Sequence, residues 1–487
     1  MGFTTLDYSI LVVYLLAVAF LGVLMGGRQR TVKDYFLGKD TIPWWVVCFS
    51  IVAAETSALT FISIPGLAYI SNLSFLQLTV GYLLGRIVVS VILLPAYFAG
   101  ELSTAYAFLE SRFGVSTRRA ASVVFLGTRL AADGVRLFAT AIPLQLILGL
   151  DYPVVILVLA FVAFLYTFAG GVRGVVWVDA LQMFIYLGGA IMAIMVLGWE
   201  AASGLPGLLQ SAADAGKLRI FDISFGSDFF QRPYTLLAGL VGGAFLSMAS
   251  HGTDQLIIQR VLTTKGLAPS RKALIGSGII VIIQFAIFLL VGVLLYAFHG
   301  GASVAELGLT RADEVFPSFI VRSFPPGVTG FVIAGLLAAA LSTLAGSMSS
   351  MASSTMLDLI KPIAGARLNP DSEMKLSRAI TALAAVLLVG AALFFMTTTR
   401  SVVELALSIA SFTYGGLLGT FLLGALFRQP LQRHALAAFA AGIVVMVTII
   451  SLDIVAWTWY TVIGVAATLF VGLTASKIFP GNRTPAP

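Results

Sequence analysis

Thirteen stretches of this chain are apolar over lengths that can cross a bilayer, and that repetition limits the possible folds more than any single motif. A membrane helix needs about 20 predominantly apolar residues. The stretches are approximately 6–25, 42–69, 75–97, 118–148, 154–169, 173–199, 234–260, 272–298, 326–356, 376–397, 401–427, 433–451 and 455–476. Runs this long read as helices, which satisfy their own backbone in hydrocarbon. Composition agrees: 59% of the 487 residues are hydrophobic and 10% charged, where soluble domains have about 25% charged residues. The predicted class is an all-α polytopic membrane protein. Asp7 precedes the first apolar run and no basic n-region stands before it, so 6–25 reads as a retained span, not a cleaved signal. The single cysteine, Cys48, excludes a disulfide framework and a thiolate metal cluster.

The connecting segments predict an orientation. With the N-terminus outside and the C-terminus cytoplasmic, the inner segments carry twenty Lys and Arg, Arg260 counted among them, and the outer ones six. That bias follows the positive-inside rule and places the chain in the plasma (inner) membrane. It also assigns the net charge of +7 to topology and anionic lipid, not to nucleic acid. No P-loop, no GxGxxG after a strand and no signalling domain is evident, nor any need for an obligatory protein partner. An ion gradient is the expected energy source. No HExxH, GxSxG or clustered carboxylate pair suggests an enzyme.

Several spans carry polar residues that lipid does not tolerate. The second contains SIVAAETSALTFISIPGLAY, Ser50 to Tyr69, with Glu55, Thr56, Ser57, Thr60 and Ser63 before Pro65-Gly66. A charge at mid-bilayer costs roughly 2.5–3.5 kcal/mol on insertion scales, so these residues face protein or a water-filled path. The fourth span carries Arg129, Asp133 and Arg136 on one helical face, most simply an internal ion-pair set. The sixth carries Asp179 and Gln182. The seventh carries SMASHGTDQ, with Ser247, Ser250, His251, Asp254 and Gln255. The ninth carries LAAALSTLAGSMSS. Spans two and seven stand five apart and both are interrupted, the pattern of an inverted-repeat transporter with its site at the repeat interface. The expected organisation is one transport domain: a peripheral helix at 6–25, a first repeat at 42–199, a second at 234–427 and two peripheral helices at 433–476. Where a helix unwinds, its carbonyls lose their donors and suit a hard cation.

The motifs AAETSALTFISIPGLAY, AFLESRFG, GGVRGVVWVDALQ, GTDQLIIQR and LAAALSTLAGSMSS occur in this order over nearly the whole chain. Together they resemble the sodium:solute symporter family. The resemblance implies a five-plus-five inverted repeat of the leucine-transporter type with discontinuous helices two and seven, and sodium as the coupling ion. It implies a sodium site made of the carbonyls of Ala53, Thr56 and Ala339 and the hydroxyls of Ser342 and Thr343. Some members hold a second sodium on the aspartate that matches Asp179, with serines where this chain has Ala345 and Gly346. That departure points to one sodium per cycle, with Asp179 a second-site or exit-path residue.

The solute is expected to be a small polar molecule, an organic anion such as a sialic acid or a monocarboxylate. The second span resembles those branches, where Ser57 and Thr60 would line the site, and arginine at 136 suits a carboxylate. Glu55, Ser247, Ser250 and His251 are further solute candidates. Glu55 resembles an acidic residue of the proline branch, where it can strengthen a cation site or repel an anion. The alternatives are a sodium-coupled sugar or amino-acid symporter and, from a different class, a solute-gated channel or sensor. The bland reading of the ninth span is a small-residue packing stripe.

Overall fold

The computed structural model describes residues 3–38, 42–364, 369–396 and 402–480. The principal helices are α1 (Thr5–Gly26), α2 (Trp44–Glu55), α3 (Ala58–Ile70), α4 (Leu76–Ile92), α5 (Val115–Leu148), α6 (Tyr152–Glu200), α7 (Gly243–Gly252), α8 (Gln255–Val261), α9 (Leu267–Phe298), α10 (Val328–Ser354), α11 (Pro370–Phe395), α12 (Val402–Leu426), α13 (Gln432–Leu452) and α14 (Tyr460–Ile478). No strand occurs among the described residues. Helix occupies each of the thirteen stretches expected to span. Among the described residues, eight helices are long and apolar enough to cross a membrane, or nine if the bent pair α2–α3 counts as one span.

Part of the difference from thirteen has visible causes. The fifth and sixth stretches follow one another without a connecting loop in α6, where two helical segments meet at a kink at Gly171. There φ is +57° and ψ −164°, a conformation that glycine alone adopts without strain. The fourth, α5, carries Arg129, Asp133 and Arg136 inside the helix. The seventh is interrupted at Thr253 and Asp254, between α7 and α8.

The core is built on α10, buried almost throughout and packed along α6. Asp7 fastens α1 to the start of α10: its carboxylate accepts from Gly327 N–H and Gly330 N–H, both at 2.8 Å. These are orphan donors of a helix N-terminus, and an anion there also meets the positive end of the helix dipole. At its other end α10 runs on into a π-turn, Thr355–Ile360. Asp358 in that turn accepts from Thr104 (2.5 Å), Arg118 (2.8 Å) and Ser354 (2.8 Å). The segment Thr104–Gly114 forms the helix Ala107–Phe113 and buries Phe108, Leu109 and Phe113. The pair α2–α3 bends by 67° at its break, facing α10 on one side and α9 on another.

Candidate functional site

The break between α2 and α3 has a local cause. Glu55 ends α2, and Thr56 N–H closes its last turn on Val52 O at 3.1 Å. Ser57 then turns extended, with φ −97° and ψ 168°, and caps α3. Its hydroxyl accepts from Thr60 N–H and the Thr60 hydroxyl accepts from Ser57 N–H, each at 3.4 Å. This capping box has a consequence for the carbonyls. In a continuous helix Ser57 N–H would donate to Ala53 O, and Thr60 N–H to Thr56 O. Both donors are turned to side chains instead, so the carbonyls of Ala53 and Thr56 keep free lone pairs. The Thr56 side chain is held in place: its hydroxyl donates to Val52 O (2.8 Å) and accepts from Gln284 Nε2 (2.7 Å), with Tyr186 Oη 3.3 Å away. Sequence reasoning missed Gln284 and Tyr186, which sit in otherwise apolar stretches of α9 and α6.

The structure brings α10 to this break. Thr343 Oγ1 lies 3.1 Å from Ala339 O and 3.5 Å from Thr56 O. Oxygen ligands stand about 2.4 Å from a cation of calcium-like radius, and two of them at right angles are roughly 3.4 Å apart. The spacing of Thr343 and Thr56 therefore suits a sodium-sized cation. Ser342 donates its hydroxyl proton to Asp179 Oδ1 at 2.7 Å, which leaves its oxygen lone pairs free. Asp179 Oδ2 accepts from Ser50 Oγ at 2.8 Å, so one carboxylate joins α2 to α10. Among the described residues no three His, Cys, Asp or Glu side chains converge as a metal-ion cluster. The oxygens gathered at the break are carbonyls and hydroxyls.

Asp179 has a further partner. Arg260 donates from Nη2 to Asp179 Oδ2 at 2.8 Å, from Nε to Ser50 Oγ at 3.0 Å and from Nη1 to Leu256 O at 2.7 Å. Arg260 is not the inner loop charge that the sequence suggests: it is 2% exposed, inside the bundle. Gly346 makes the space, since a Cβ there would lie 2.5 Å from Arg260 Nη2. The same glycine that departs from the two-sodium pattern thus admits a guanidinium to Asp179.

On the other side of the break lies a narrow cleft, bounded by Ser57, Asp133, Arg136, Thr140, Ala340 and Thr343. Arg136 donates from Nη1 to Asp133 Oδ1 at 2.8 Å, and Arg129 reaches Asp133 Oδ2 at 3.4 Å. Arg129 also pairs closely with Asp254. Asp133 further accepts from the hydroxyl of Ser347, on α10. The carboxylate of Asp133 therefore ties the Arg136 guanidinium to α10 one turn beyond Thr343. Asp254 caps α8, accepting from Leu256 N–H at 2.9 Å, as a broken span requires.

The remaining solute candidates lie elsewhere. Thr60 does not bound this cleft, and its hydroxyl serves the cap. Glu55, Ser247, Ser250 and His251 are likewise absent from its wall. Glu55 pairs closely with Arg86 and lies 3.5 Å from His251 Nε2. Arg86, fully buried, donates to Ser277 Oγ at 2.7 Å, and Ser250 Oγ meets His251 Nδ1 at 2.8 Å. Ser247 Oγ is buried without a hydrogen-bond partner. Sequence reasoning overlooked Arg86. A lone arginine in LQLTVGYLLGRIVVSVI was the available signal.

Comparison with known proteins supplies the family. The model of the sodium:solute symporter family matches residues 35–444. The sodium/sialic acid symporter SiaT of Proteus mirabilis is 25% identical over 98% of this chain and 96% of its own length. The sodium-coupled monocarboxylate transporter 2 of Bos taurus is 28% identical over 91% of this chain and 72% of its own. A solved outward-open structure of a Na+-coupled sialic acid symporter superposes with a TM-score of 0.89 at 24% identity, covering 99% of this chain and 100% of that one. The fold is therefore the leucine-transporter-like one that the resemblance implied. The chain is a multi-pass membrane protein and belongs to the sodium:solute symporter family.

Proposed function

We propose that this sodium-coupled symporter imports a small organic anion whose carboxylate sits on Arg136, with one sodium per cycle. The observation that carries the reading is the shared cleft: Thr343 of the cation site and Arg136 bound the same space. In this reading sodium binds to the carbonyls of Ala53, Thr56 and Ala339 and the hydroxyls of Ser342 and Thr343. That joins the break to α10, a link between the two proposed repeats, 42–199 and 234–427. The solute then closes against Ser57 and Arg136, and the repeats rock around it, with the N-terminus outside and the C-terminus cytoplasmic. The relatives support the class of solute, since a sialic acid and a monocarboxylate both carry a carboxylate. Asp133 supports coupling, because it holds Arg136 from a contact to the sodium helix. Asp179 is matched by Arg260, which supports one sodium instead of two.

The test is uptake by proteoliposomes under an inward sodium gradient, with N-acetylneuraminate, lactate, glucose and proline offered separately. Saturable, sodium-dependent uptake of a carboxylate is expected. Arg136→Gln should raise its KM about ten- to a hundredfold, the worth of a charged hydrogen bond. Ser342→Ala with Thr343→Ala should abolish sodium dependence. Sodium-driven uptake in that double variant would remove the ion site, and uptake of glucose or proline alone would move the solute to another class.

A further inference from the structure

Arg136 has a second cavity on its other side. A narrow cleft runs along α5, lined by Phe125, Arg129, Ala132 and Arg136, with Tyr414 of α12 and Asp254 opposite. The α5 residues recur at helical spacing and share one face. The cleft therefore leads from the solute site toward the N-terminal end of α5. That end carries Arg118 and follows the Thr104–Gly114 segment, on the Lys- and Arg-rich side of the chain. Arg129 lies seven residues from Arg136, about 10 Å along the helix axis.

Both guanidiniums keep donors in reserve. Each has five N–H groups. The hydrogen bonds of Arg136 use one nitrogen, toward Asp133, and those of Arg129 use two, toward Asp133 and Asp254. Tyr414 Oη adds a hydroxyl 3.2 Å from Asp254 Oδ2. Two arginines facing two aspartates leave the cleft near neutral. A carboxylate there finds donors without an excess of positive charge. Such a place binds an anion weakly enough to release it, as a permeation path requires.

We propose that this cleft is a second, weaker station for the carboxylate of the solute, on its route from Arg136 to the basic side of the protein. The proposal rests on the carboxylate reading above. Ala132 and Leu417 line only this cleft, and tryptophan at either would fill it. The experiment uses the full chain with Ala132→Trp and, from the facing helix, Leu417→Trp. Sodium-dependent N-acetylneuraminate and lactate binding is measured by calorimetry in detergent, and uptake in proteoliposomes. Expected is a Kd within about threefold of the unsubstituted protein and uptake slowed roughly tenfold or more, a loss after binding. Uptake at the ordinary rate, or loss of binding and uptake together in both variants, overturns the station. Should either variant fold poorly, a cysteine at Thr128, which also lines the cleft, is introduced with Cys48→Ser. Its labelling by a thiol reagent should slow when sodium and N-acetylneuraminate are present, and a rate indifferent to them overturns the proposal. The unsubstituted protein separates the two ideas. If it binds no carboxylate, the solute reading falls and the station with it. If it binds one and the tryptophan variants still transport, only the station falls.

Discussion

Glu55 stands in sequence between two proposed sodium ligands, yet its charge is already matched. Arg86, buried and itself held by Ser277, takes the Glu55 carboxylate. Breaking a buried pair by removing one partner typically costs about 3–5 kcal/mol, because the other charge is left uncompensated. Arg86→Met should therefore lower the unfolding midpoint in detergent well below that of the unsubstituted protein. Adding Glu55→Gln should recover a large part of the loss, since the stranded charge is gone. If the double variant is no more stable than Arg86→Met, a stranded Glu55 charge is not what the loss of Arg86 leaves behind. At this scale the sequence marked residues that the structure gathers: Thr343 Oγ1 lies 3.5 Å from Thr56 O and 3.1 Å from Ala339 O, and Asp133 pairs with both neighbouring arginines. What escaped was the partner chosen by each charge. Nothing in the local pattern around Arg260 or Arg86 says which carboxylate lies across the bundle, because that choice is made by helices far apart in sequence.

The broken helix α2–α3 is the element on which the proposed cation site depends. Its break was visible as a polar run inside an apolar span, but the capping box was not assigned. Ser57 and Thr60 were read as solute residues, where the structure also gives them the work of starting α3. The two roles separate by substitution. Loss of an N-cap hydroxyl to alanine costs about 1 kcal/mol, and replacement by glycine only a few tenths. Ser57→Ala should lower the unfolding midpoint while Ser57→Gly leaves it nearly unchanged. A solute contact, by contrast, should raise KM alike in both. A KM that follows the midpoint would leave Ser57 as a cap alone. The turn in α6 was legible in part. The sequence GGVRG placed a boundary near 169–173, and the structure breaks the helix there, at Gly171.

Across the whole molecule, hydropathy and the paired interruptions predicted the architecture, and the superposition on a solved symporter agrees. Hydropathy did not predict that α10 is the buried hub, since its small-residue composition resembles any packing stripe. The seat of Arg260 on Asp179 bears on how the transporter is powered. A fixed guanidinium there is a counter-ion that does not travel. A cycle of one sodium and one carboxylate then carries no net charge, and membrane voltage does no work on it. A tenfold sodium gradient, about 1.4 kcal/mol, would hold the solute near a tenfold excess. An inside-negative diffusion potential set with valinomycin and potassium should leave initial uptake unchanged. A second sodium on Asp179 would instead make uptake electrogenic, with about 2.3 kcal/mol per 100 mV, roughly a fiftyfold gain in accumulation. On the proposed one-sodium cycle, uptake would continue in a cell whose potential collapses while its sodium gradient survives.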